Sequence, residues 1–216
     1  MFVRRIAVGL LGVMALSMIG NALFMPSTAR AQSVEAASAK LSKTEVQLTS
    51  AVTKSAAGAV SVTKELQTPS QPGLAGQLQE FGRSNERLKQ LEEELTKDIG
   101  SFEEARTAKL ATLDAELQAI KDATTRRQME RLRTRAVHQV TERLTAAKAT
   151  LDTLQLVLAR GEDLTHAAKV VQLAEDLSVQ SQDLAGQVQR AKDQASQYAK
   201  LTTTLLASLT TTENAE

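Results

Sequence analysis

The sequence predicts an all-α protein, an elongated coiled-coil or antiparallel helical bundle of long helices without β-sheet: three helices, or four if the second breaks near Thr124. Three observations carry this. Apolar residues recur every seven or eleven positions over most of the chain, the spacing of narrow seams between packed helices. Aromatic residues make up 2% of the chain and apolar residues 42%, mainly Ala, Leu and Val; a thick core normally uses large rings, because each buries so much apolar area. Proline, which interrupts a helix, does not occur after Pro72.

Residues 1–31 read as an address. Arg4 and Arg5 precede an apolar run from Ile6 to Phe24, and a polar stretch with Pro26 leads to Ala29-Arg30-Ala31. This is the charged, apolar and small-x-small order of a secretory signal peptide, with cleavage expected after Ala31 and export to the periplasm or cell envelope. The competing expectation is an uncleaved inner-membrane anchor, since the run approaches the ~20 residues a spanning helix needs. Gly9, Gly12, Gly20, Ser17 and Asn21 dilute that run and favour cleavage.

From 32 to 67 the chain is rich in Ala, Ser, Thr and Val, with apolar residues at Val34, Ala37, Leu41, Val52, Ala56, Val60 and Leu66. Small seam residues bury little area, so this helix is expected to be the weakest element. Residues 68–73, Thr-Pro-Ser-Gln-Pro-Gly, form the one clear breaker.

A long helix is predicted over 74–160. Leu88, Leu91, Leu95, Ile99, Phe102, Arg106, Leu110, Leu113 and Leu117 follow an eleven-residue repeat, and the spacing returns at Met129, Leu132, Ala136, Val140, Leu144, Ala147, Leu151, Leu154 and Leu158. Such a repeat gives about 3.67 residues per turn and a nearly straight helix. Between the two runs, residues 121–128 hold no large apolar side chain, and Thr125 with Gln128 has the pattern of a capping box. Unbroken, this helix would be about 125 Å long; a reversal near Thr124 would give a four-helix arrangement instead.

Gly161 is expected to end that helix, with Glu162 and Asp163 opening a last one over 161–209. Val170, Leu177, Leu184, Ala191, Tyr198 and Leu205 form one line at spacing seven, and Ala174, Ser181, Val188, Ala195, Thr202 and Leu209 form a second. The hydroxyls of Ser181 and Thr202 need partners if they sit in the seam. Similar lengths then pair the last helix with 112–160 across a turn at Gly161, and the first helix with 74–111; residues 210–216 are expected to fray.

Charge and composition exclude several function classes. The chain carries 26 basic and 25 acidic groups, and loss of residues 1–31 leaves 23 basic against 25 acidic, so no global field favours nucleic acid. Cysteine is absent, which removes disulfides, thiolate metal sites, cysteine nucleophiles and lipid attachment through cysteine. No phosphate-binding glycine loop, nucleophile elbow, His-Glu-x-x-His or calcium loop is present, and the acidic run Glu92, Glu93, Glu94, flanked by Lys89 and Lys97, reads as a helix surface salt-bridged to those lysines. No enzyme activity, cofactor, metal or small-molecule substrate is therefore expected. His138 with Glu142 and His166 with Glu162 share helix faces, but two ligands are too few for a tight metal site.

The most distinctive local feature is an arginine cluster: Arg126, Arg127, Arg131, Arg133 and Arg135, opposed only by Glu130. Guanidinium groups at this density suit phosphate, in anionic lipid headgroups or in acidic envelope polymers. The bland alternative is a solvated face paired with neighbours such as Glu142.

The reading that follows is an exported, non-enzymatic coiled-coil protein acting as a spacer, scaffold or assembly factor of the bacterial cell envelope, with protein partners or self-association. A second reading is a binder of non-native proteins, since helical prongs with basic patches resemble in general style the periplasmic holdase chaperones, although no motif ties the chain to them. A third is a membrane- or anionic-polymer-binding protein in which the Ala- and Val-rich stretch 51–62 meets lipid.

Overall fold

The computed structural model describes residues 33–67, 71–176 and 182–213, and all of its regular structure is helical. Residues 1–31, the proposed address, lie outside the described residues, as do Leu177 and Ser181 of the last predicted seam. Four helices follow in order: α1 (Val34–Glu65), α2 (Gln71–Ala119), α3 (Ala123–Asp176) and α4 (Gln182–Glu213). They pack as a bundle in which α1 meets α2 and α4, and α3 meets α2 and α4.

Each helix begins where local chemistry permits. The Ser33 hydroxyl accepts the Ala36 backbone N–H at 3.1 Å and caps α1. Pro72 and Gly73, expected in the turn, belong to the first turn of α2, where a missing N–H costs nothing. The α3 start also differs from expectation. Asp122, not Thr125, is the cap: its carboxylate accepts the Thr125 N–H at 2.6 Å, and this bond holds the Asp122 carboxyl below its ordinary pKa.

Of the two expectations for 74–160, the break near Thr124 is the one present: the segment is two helices, joined at 120–122. The break falls where the apolar repeat lapses, so no seam contact was available to hold one straight helix together.

A correction is needed at Gly161. It ends nothing: α3 runs through it to Asp176, and no turn at that point pairs the last helix with 112–160. A glycine costs about 1 kcal/mol in a helix interior, and the flanking residues are ordinary helix formers, so the helix continues. Its seam runs through Leu144, Ala147, Thr150, Leu154, Val157, Gly161, Leu164, Ala168 and Val171, all buried. Val170 is consequently 45% exposed and outside the predicted line, whereas Ala191, Ala195, Tyr198, Thr202, Leu205 and Leu209 of that prediction are buried. The Thr202 hydroxyl finds its partners in the carbonyls of Tyr198 and Ala199.

In α1 the buried face is Ala37, Leu41, Thr44, Leu48, Val52, Ser55, Ala59 and Val62, and Val60 is 64% exposed. Stretch 51–62 thus turns its apolar face to the protein core, and no helix among the described residues is long and apolar enough to cross a membrane.

Helix lengths decide where the core ends. α1 and α4 have 32 residues each, whereas α2 has 49 and α3 has 54. The excess of roughly 20 residues amounts to about 30 Å of helix. Between buried Ala105 on α2 and buried Leu144 on α3, no side chain is buried. The molecule is a four-helix body continued by a two-helix arm, and the eleven-residue repeats cross from one into the other. Leu88, Leu91, Leu95, Ile99 and Phe102 are core; Leu110, Leu113, Leu117, Met129, Ala136 and Val140 of the same repeats are only half-buried, and Leu132 is 50% exposed.

Candidate functional site

The arm carries the arginine cluster, and the fold divides its five members into two groups. Arg133 faces across the arm to Asp114, with Nε 2.5 Å from Oδ1 and Nη2 3.0 Å from Oδ2. This paired geometry lowers the Asp114 pKa and raises that of Arg133, chiefly through the hydrogen bonds between them. Arg126 folds back over the start of α3 and donates from Nε and Nη2 to the Ile120 carbonyl, at 3.1 and 2.5 Å. Arg126 thus braces the 120–122 connection, and Arg133 ties α3 to α2 within the arm.

Arg127, Arg131 and Arg135 form the other group. They recur at spacing four, so they stack along one face of α3. With Glu130 and Thr134 they line a shallow, solvent-open hollow of about 390 Å³. All three are exposed, and none makes a hydrogen bond or ion pair with another described residue. Glu142, expected as a neighbouring partner, is instead 3.2 Å from His138, four residues away on the same helix. The cluster identified from sequence is therefore one structural pair, one connection brace and a row of three uncommitted cations.

Where arm meets body, charge is buried. Arg143 donates to Glu45 at 2.5 and 3.2 Å and to the Ser42 hydroxyl at 3.1 Å, and the two charged side chains are only 13% and 9% exposed. Lys148 to Glu103 at 2.6 Å and Arg106 to Thr141 at 3.0 Å tie α2 to α3 at the same level.

A second polar cluster lies deep in the body, and nothing in the sequence reading anticipated it. Ser55 of α1 donates to Asn85 Oδ1 of α2 at 2.8 Å, and the hydroxyl of Tyr198 on α4 lies 2.5 Å from Ser55 Oγ and 3.1 Å from Asn85 Oδ1. The ring of Tyr198 stands edge-on to Phe81, with centroids 5.3 Å apart at 80°. Burial pushes the Tyr198 phenol up to about 12, against a smaller opposing effect of the Ser55 hydrogen bond. Two glycines make room: a Cβ on Gly58 would meet Phe81 Cδ2 at 3.3 Å, and one on Gly161 would meet Asn85 Nδ2 at 2.6 Å. The available signals were two glycines inside helical stretches and the chain's single tyrosine, whose cross-helix pairing no spacing rule supplies.

This layer consists of a hydroxyl pair and an amide, joined across three helices. Among the described residues, no group of three or more His, Asp or Glu side chains could hold a metal ion. Asp163, three residues before His166, pairs with Arg160 at 2.9 Å. The acidic run finds partners other than the two expected lysines: Glu92 accepts from Gln155 at 2.9 Å, and Glu94 is 3.8 Å from Arg87. Comparison with protein-family models, with curated proteins and with solved structures gives no match.

Proposed function

We propose that the chain is an exported, non-enzymatic helical protein that serves as a spacer, scaffold or assembly factor of the bacterial cell envelope. The observation that carries this reading is the arm: about 30 Å of paired helix projecting from a filled body, with its charged groups on the outside. Such a shape acts through distance and surface. The order of residues 1–31 supports export and cleavage after Ala31.

We also infer antiparallel, coiled-coil-like packing within the bundle. The cross-helix contacts support it: Thr44 meets Asp98 while Ser55 meets Asn85, and Glu103 meets Lys148 while Glu92 meets Gln155, one number rising as the other falls.

The test is expression in a bacterium with an outer membrane, with and without residues 1–31, followed by fractionation, N-terminal sequencing and crosslinking in the intact envelope. A product beginning at Gln32, fractionating with the envelope and crosslinked to a defined partner or to itself, is the expected result. Retention in the cytosol refutes export. Suppression of the aggregation of an unfolded outer-membrane protein at stoichiometric amounts would replace the scaffold with the holdase reading.

A further inference from the structure

Charge is unevenly divided between arm and body. Residues 106–140 hold eight basic and four acidic groups, whereas the rest of 32–216 holds fifteen basic and twenty-one acidic. Of the four arm acids, Asp114 is engaged by Arg133 and Asp122 by the α3 cap, so half of the arm's negative charge is already committed and Glu116 and Glu130 are left. The positive end of the α3 dipole lies at the same extremity. Besides the exposed Lys109 and Lys121, what remains for a partner is the row Arg127, Arg131 and Arg135, which shares its hollow with Glu130.

We propose that this row is a docking site for a linear polyanion carrying closely spaced phosphates. Four-residue spacing sets the guanidinium attachments about 6 Å apart, and the row extends about 12 Å parallel to the helix axis. A chain of phosphates laid along α3 can meet all three side chains at once, each able to make paired hydrogen bonds. An anionic bilayer fits this geometry less well. Approached by the arm's end, it brings Arg127 near first and leaves Arg135 about 12 Å further back, beyond the ~8 Å over which charge is felt at physiological salt. Approached side-on, it also meets the acidic body. The arm has no aromatic side chain to anchor at a lipid interface or to stack on nucleotide bases. Phosphate charge along a line is therefore the recognised feature.

This deepens the scaffold reading by naming what the arm would hold, and its test is independent of export and of envelope partners. The full chain is titrated with long-chain inorganic polyphosphate, with vesicles of phosphatidylglycerol as the competing surface. Two triple variants remove the same charge from different places: Arg127→Ser, Arg131→Ser, Arg135→Ser on the arm, and Lys54→Ser, Lys169→Ser, Lys200→Ser, all exposed, on the body. The expected result is polyphosphate binding that the arm variant weakens on the order of 30- to 100-fold near 0.1 M salt, with a log–log salt slope shallower by about 2. The body variant should stay within about twofold. Circular dichroism of both variants should match the parent, because the replaced side chains are solvent-exposed. The proposal is overturned if polyphosphate does not bind, if the two variants lose affinity equally, or if vesicles bind the chain in a way polyphosphate does not compete.

Discussion

Gly161 of α3 lies against Asn85 of α2 so closely that a Cβ at position 161 would sit 2.6 Å from Asn85 Nδ2. A glycine that sequence patterns assign to a helix end is here a notch in the middle of a helix, cut for a side chain that bridges to α1 and α4 through Ser55 and Tyr198.

Gly161→Ala should therefore destabilise the protein. Alanine favours the helix by about 1 kcal/mol, but it displaces an amide whose buried hydrogen bonds are worth about 1 to 3 kcal/mol when lost, so a net loss of about 1 to 2 kcal/mol is expected in urea unfolding. Gly82→Ala and Gly100→Ala, where a Cβ meets nothing within 4 Å, should each gain up to about 1 kcal/mol. A stabilised Gly161→Ala would show that the notch is not needed.

Tyr198 should make stability depend on alkaline pH. Its phenol is raised in the folded state from 10.0 to about 12, so between those values the unfolded chain has lost the proton and the folded one retains it. The contribution is complete below about pH 10 and falls as pH rises toward 12, with a total on the order of 3 kcal/mol. Lysines titrate nearby, so the quantity to measure is the difference between parent and Tyr198→Phe in melts from pH 8 to 11. That difference should change with pH; a constant one would place the phenol in solvent.

At the base of the arm, Arg143→Met should cost about 3 kcal/mol, because it leaves the Glu45 carboxylate buried without its main cationic partner. Replacing both residues, Arg143→Met with Glu45→Leu, should recover most of that loss. A double-mutant cycle in urea measures the coupling, and additive effects would indicate that water already screens the pair.

Asp122→Ala removes the cap of α3 and should loosen the arm's end alone. Amide exchange at 123–126 is expected to accelerate about fivefold, with the body unaffected. The Asp122 carboxyl is held below its ordinary pKa by the Thr125 N–H, so the cap acts above the ordinary carboxylate range and is lost as pH falls through the depressed value. Unchanged exchange in the variant, or acid loosening of the body before the arm, would contradict this.

The helices were legible because their cause is local. Seven- and eleven-residue spacing places Leu88, Leu91, Leu95, Ile99 and Phe102 on one stripe whatever lies opposite, and these residues are core. The stripe alone does not say how many helices cover it. Leu110 and Leu117 continue the pattern and are only half-buried, because α1 and α4 end before reaching them. The arginine cluster was equally legible as a density of charge, yet its division was not: the Arg133 to Asp114 pairing spans nineteen residues and exists only because α2 and α3 lie side by side in the arm.

The sequence by itself determined that this is a helical protein with slender seams, an arginine-rich segment and no motif of known chemistry, since periodicity and composition act over a few turns at a time. Tertiary structure alone decided that Gly161 is a notch and not an end, that Ser55, Asn85 and Tyr198 meet in one layer, and that Arg127, Arg131 and Arg135 stand uncommitted on a projecting arm. Those outcomes depend on which helices lie opposite each other and where the shorter ones stop, and residues more than a hundred positions apart in the chain set both.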